Sequence, residues 1–123
     1  MIVRELMTEN PANVLPSSTI AGALSLLETL DVRLVPVVDG DGSLLGVVSD
    51  RELGAIVGPY PTLDAAFVER LHWPISRAMN TAVVTVDADS EATDAIEVML
   101  EQHVAAVPVI DADGAFVGLV SYV

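Results

Sequence analysis

The feature that most limits the fold is an internal echo: shifting the chain by 72 positions lays one stretch over another without a gap. Met7 falls on Met79, Ala23 on Ala95 and Val32 on Val104, and Val35-Pro36-Val37 falls on Val107-Pro108-Val109. Asp39, Asp41, Gly42 and Gly46 then meet Asp111, Asp113, Gly114 and Gly118, and Val48-Ser49 meets Val120-Ser121. Many of the matches are Pro and Gly, residues that fix or free the backbone, so the stretches are two copies of one folding unit of about fifty residues. A chain of 123 residues holds two such units and a short connector.

Within a unit the periods are readable. After a short strand-like piece around Asn13 to Leu15, the residues Ile20, Ala23, Leu24, Leu27 and Leu30 recur at helical spacing, with N-cap candidates in Ser17 to Thr19. Ala92, Ala95, Ile96 and Met99 play the same part after Asp89-Ser90. Leu34 to Val38 and Leu44 to Ser49 are apolar and rich in β-branched residues, and Asp39-Gly40-Asp41-Gly42 between them makes a hairpin. A second helix is expected from Asp50 to about Val57. The fold class is therefore α/β (α+β): tandem β-α-β-β-α repeats at 1–57 and 75–123, joined by a linker at 58–74. In that linker Gly58-Pro59-Tyr60-Pro61 breaks the chain, Leu63 to Leu71 reads as a short bridging helix, and Trp73-Pro74 ends it. Neither three-stranded unit covers both faces of its sheet alone. The two are expected to pack with approximate two-fold symmetry, creating two equivalent clefts.

Composition narrows the function. Apolar residues make up 52% of the chain and aromatic ones 4%, so the core is aliphatic. The net charge is -13, and Arg4, Arg33, Arg51, Arg70 and Arg77 are the only cations beside the two histidines, which argues against nucleic acid or an anionic membrane as partner. An anionic ligand must then be held by local geometry: backbone amides, a helix N-terminus and an arginine. No apolar run is long enough for a membrane span, no signal segment is visible and there is no Cys, so a cytoplasmic location is expected.

The ordered set Val3-Arg4-Glu5-Leu6-Met7-Thr8, Val32-Arg33-Leu34-Val35-Pro36-Val37-Val38-Asp39 and Gly46-Val47-Val48-Ser49-Asp50-Arg51-Glu52-Leu53 resembles the cystathionine β-synthase (CBS) motif. The second unit resembles it through Met79, Val104 to Asp111 and Gly118-Leu119-Val120-Ser121. The chain is thus similar to a CBS pair, also called a Bateman module. That resemblance implies a regulatory sensor of AMP, ADP, ATP or S-adenosylmethionine that commonly forms a homodimer, acts on an unknown regulated protein and requires no cofactor. The family's Gly-x-x-Ser/Thr-x-x-Asp motif maps onto Gly46, Ser49 and Glu52. Gly46 would let the backbone come close, and Ser49 with the amides of the next helix would bind phosphate. Arg51 would add a charge-assisted contact, Arg33 is placed to reach a phosphate across the cleft, and Glu52 would accept from the ribose hydroxyls. Glu52 stands where the family prefers Asp, and its extra methylene moves the carboxylate by roughly 1.5 Å. The adenine slot is expected near Pro11-Ala12 and Val35-Pro36. A second, weaker cleft would use Val83, Val107, Pro108, Gly118 and Ser121. There the chain supplies only Tyr122 and Val123 after Ser121, so the helix and carboxylate that the repeat calls for are cut short.

Other patterns read as scaffold. Asp39 with Asp41 and Asp111 with Asp113 suit hairpin turns, since a calcium loop needs more oxygen ligands and a distal Glu. His72 and His103 have no second ligand at metal spacing, and His103 falls where a helix ends. Met7 and Met79 read as apolar plugs. Neither Ser49 nor Ser121 sits in a Gly-x-Ser-x-Gly elbow, and with no lysine there is no Gly-x-x-x-x-Gly-Lys loop. The chain is therefore expected not to be an enzyme and to hold no metal. The alternative function is a ligand-independent dimerisation or partner-docking module.

Overall fold

The computed structural model describes residues 1–58 and 64–121. Helices α1 (Val3–Leu6), α2 (Ile20–Leu30), α3 (Asp50–Val57), α4 (Ala65–Leu71) and α5 (Ala92–Gln102) alternate with strands β1 (Thr8–Glu9), β2 (Leu34–Val38), β3 (Leu44–Ser49), β4 (Val86–Asp87), β5 (Ala106–Ile110) and β6 (Phe116–Ser121). This is the mixed α+β fold read from the repeat. The chain break at Pro59-Tyr60-Pro61 and the expected helix start at Leu63 lie outside the described residues, and α4 begins at Ala65.

Local chemistry explains the elements. The Thr19 side chain caps α2 by accepting from the Gly22 amide at 3.0 Å, and the apolar positions Ile20, Ala23 and Leu27 turn into the core, while Leu30 stays exposed. The two hairpins turn identically: Asp39 Oδ1 accepts from the amides of Asp41 and Ser43, and Asp111 Oδ1 from those of Asp113 and Ala115, each at 2.9 Å. These aspartates are turn formers, with Gly42 and Gly114 at φ near 80° completing the loop. His103 and Asp31 likewise end α5 and α2 in the same left-handed conformation.

The repeat reappears in the pairing, with one addition. Val14 bridges Val37 in parallel in the first half, as Val86 pairs with Val109 in the second. The leading segment of each unit, however, crosses to the other unit. Thr8 pairs with Leu119 on β6, and its equivalent Asn80 pairs with Val47 on β3. Val3 donates to the Ser90 carbonyl at 2.8 Å, and Ile75 to the Ser18 carbonyl at 2.7 Å. The second sheet accordingly runs β1-β6-β5-β4, and the first is the β2-β3 ladder flanked by the Asn80 and Val14 bridges.

The core follows this exchange. One cluster joins Val14, Ile20, Ala23, Leu27, Val35, Val37, Val48 and Leu53 to Ile75, and the other joins Val86, Ala88, Ala95, Met99, Val107, Val109 and Val120 to Val3. Leu34, Val47 and Ala106, with Val83 and Leu119 against them, seal the halves together. Met79 and Met7 pack against the first and second clusters, the plug role expected of them. Gly46 and Gly118 make the crossing possible: a Cβ there would stand 2.7 Å from the Asn80 carbonyl oxygen and 2.8 Å from that of Thr8.

Candidate functional site

The crossing and the inter-half seal leave a cleft of about 560 Å³ whose walls come from both units. One wall is the end of β3 and the start of α3: Ser49, Asp50, Arg51 and Glu52, with Arg33 beside them. The other is aliphatic: Val83 and Val84 from the segment before β4, and Ala106, Val107 and Pro108 from β5. Met79 and Asn80 close the floor, and Gln102 to Ala105 close the rim.

The polar wall is organised by the helix start. Ser49 is the N-cap of α3 and Glu52 the third residue of its first turn, a spacing that brings the two side chains together. The half-buried Ser49 hydroxyl donates to Glu52 Oε2. No side chain caps the start of α3. The Asp50 amide is held by the Arg33 carbonyl at 3.0 Å, which ties Arg33 to the same corner. Arg51 reaches over the opening, its Nη2 donating to the His103 carbonyl at 3.3 Å. The site thus offers a carboxylate and a hydroxyl side by side, a helix start without a side-chain cap, two exposed guanidinium groups and an aliphatic slab opposite.

The structure brings Arg33, Ser49, Arg51 and Glu52 into one cleft, but not with all their expected neighbours. Pro11, Ala12, Val35 and Pro36 do not line it, and Val35 instead faces the first core. Their equivalents 72 positions on, Val83, Val84, Val107 and Pro108, form the apolar wall, so Val83, Val107 and Pro108 move from the second cleft to the first. The crossing is the physical cause, because it sets the polar corner of one unit against the slab of the other. Gly46 also departs from expectation, being packed against Asn80 rather than lining the cleft. Gly118 meets Met7 and Thr8 in the same way, while Ser121 ends β6 next to residues 122 and 123, which lie outside the described residues. Sequence reasoning missed Val84, Asn80, Ala106 and the 102–105 rim. The signal for Val84 was available in the offset that pairs it with Ala12.

No group of three or more His, Asp or Glu side chains is arranged to hold a metal among the described residues, and no helix among them is long and apolar enough to cross a membrane.

Two packed α/β units, each lending its first segment to the other and sharing a cleft, define a paired-repeat class of module. A CBS-domain family model matches residues 3–54 and 75–122, and the chain belongs to that family. It is 30% identical over 125 residues to a CBS domain-containing protein of Dictyostelium discoideum, with 98% of this chain and 86% of that protein covered. It also spans 21% of an inosine-5'-monophosphate dehydrogenase of Methanocaldococcus jannaschii, at 25% identity. Among solved structures, the CBS-pair protein CBSX2 of Arabidopsis thaliana superposes with a TM-score of 0.84 at 30% identity, covering 98% of this chain and 87% of that one. A CBSX2 structure in complex with AMP superposes with a TM-score of 0.80 at 30% identity, covering 98% of this chain and 89% of that one.

Proposed function

We propose that the chain is a regulatory module that senses an adenosine-containing ligand in the cleft between its two units, without catalysis of its own. The observation that carries this reading is the pairing of Ser49 and Glu52 at an uncapped helix start, facing the aliphatic slab of Val83, Val107 and Pro108. Glu52 accepts from ribose hydroxyls, the α3 amides take the group on the 5' carbon, and the base lies on the slab. A volume of about 560 Å³ lies inside the range of small-molecule sites, and the similar CBSX2 is solved with AMP. To act as a switch, the ligand must bind one pose of the two units better than another. Titration calorimetry with AMP, ATP and S-adenosylmethionine tests the reading. Saturable heat from at least one is expected, and none from any of them up to about 1 mM rejects it.

A second reading, association with another copy of the chain, is favoured by α5, where Ile96 (39% exposed) and Leu100 (58%) stand one turn apart on the surface. Sedimentation equilibrium should then show a dimer that Leu100→Glu dissociates. A monomer at every concentration, unchanged by the substitution, argues against it.

A further inference from the structure

A second cavity, of about 480 Å³, opens between the tips of the two hairpins and lies inside the range of small-molecule sites. The first hairpin contributes the run from Asp41 to Leu45, and the second contributes Ile110 and the run from Gly114 to Phe116. Thr81, Val83 and Thr85 complete it, from the segment that joins the Asn80 bridge on β3 to the start of β4. That segment divides between two cavities: Ala82 and Val84 line the cleft described above, Thr81 and Thr85 this one, and Val83 both.

The polar groups here are one-sided. The amides of Asp41, Gly42, Ser43, Gly114 and Ala115 all donate inside their own turns, to Asp39 or Asp111, and none is left for an anion. No basic side chain lines the cavity among the described residues. What remains is the Asp41 carboxylate and the hydroxyls of Ser43, Thr81 and Thr85, all able to accept. Among the described residues that carboxylate forms no ion pair. Leu44, Leu45, Ile110 and Phe116 add apolar surface, Phe116 with an aromatic ring.

We infer that this cavity is a site for a small primary amine with an apolar body, bound as its ammonium ion. Asp41 and the hydroxyls take the ammonium hydrogens, while the aliphatic groups and the Phe116 ring take the body. The field of a chain of net charge -13 concentrates cations at such a site and repels anions. The inference is independent of the adenosine reading, because the cavity contains none of Arg33, Ser49, Arg51 and Glu52. Asp113 supplies an internal comparison: it stands 72 positions after Asp41, at the same place in its turn, yet does not line the cavity. The turns are held by the carboxylates of Asp39 and Asp111, so Asp41 or Asp113 can become Asn with both hairpins intact.

Amide chemical shifts of the full chain, titrated with n-hexylamine, 1-hexanol and hexanoate in about 0.15 M salt, test this. Hexylamine is expected to saturate with a Kd of roughly 1 mM and to move the amides of residues 41–45, 81–85 and 114–116. Hexanol should bind about fivefold more weakly and hexanoate not at all. Asp41→Asn should weaken hexylamine binding about fivefold, and Asp113→Asn by no more than about twofold. Hexanol binding as tightly as hexylamine overturns the inference, as does an equal loss in the two variants. Hexylamine shifts that fail to saturate, or that lie away from these residues, overturn it as well.

Discussion

Glu52→Ala is expected to weaken AMP binding by roughly one to two orders of magnitude while leaving the melting temperature nearly unchanged. The carboxylate is half-buried, accepts from Ser49 and is the only acidic group of the first α3 turn set beside that hydroxyl. Its loss removes a charged acceptor whose hydrogen bonds are each worth about 1.5–3 kcal/mol. Stability should hold because Leu53 and not Glu52 anchors α3 in the core. Glu52→Asp supplies the discriminating control. It keeps the charge and withdraws it by one methylene, so if the charge rather than its reach governs the ribose contact, AMP affinity should change in Glu52→Asp far less than in Glu52→Ala. Calorimetry reads all three proteins. Equal affinity of Glu52→Ala and wild type would remove Glu52 from the site.

Ile75→Ala is expected to destabilise the protein by roughly 2–5 kcal/mol, the range for emptying a fully buried aliphatic position. Ile75 is 0% exposed, and its amide is held by Ser18. The informative part is where the damage appears. Ile75 opens the second repeat in sequence but completes the core around Ile20, Val35 and Leu53. Hydrogen exchange should therefore speed up in α2 and the β2-β3 ladder more than in β5 and β6. Urea unfolding followed by Trp73 fluorescence gives the total cost, since that indole packs on the same cluster. A loss below about 1 kcal/mol, or faster exchange confined to the second half, would contradict the crossing.

The contrast between these two positions shows what a single sequence carries. Ser49 and Glu52 were legible through the resemblance to Gly-x-x-Ser/Thr-x-x-Asp, a local pattern whose last two members meet at the start of α3. The hairpins were legible because the signal is local, as apolar, β-branched strands around Asp-x-Asp-Gly leave the chain one short way to turn. Pairing between copies is a different kind of information. The offset of 72 says that Pro11 equals Val83 and Val35 equals Val107, but an equivalence cannot say which copy serves which corner. That choice depends on how the leading segments cross, a long-range geometry with no local residue signature except two glycines. Gly46 and Gly118 did carry that trace, and it was read as room for a ligand rather than for the Asn80 and Thr8 carbonyls.

The exchange of leading segments also orders events in time. Residues 1 to 9 leave the ribosome well before their partners, from Ala88 to Ser90 and along β6, are made. The amide of Val3 must wait for a carbonyl 87 residues further along, so the second half closes only after Ser90 and β6 have been synthesised. Such distant pairings slow folding, because the entropy of closing a long loop is lost before any contact compensates it. The first half, whose crossing segment ends at Asn80, can close sooner. Folding during synthesis should therefore proceed in two stages, with the half that bears Ser49 and Glu52 formed while the slab of Val107 and Pro108 is still missing.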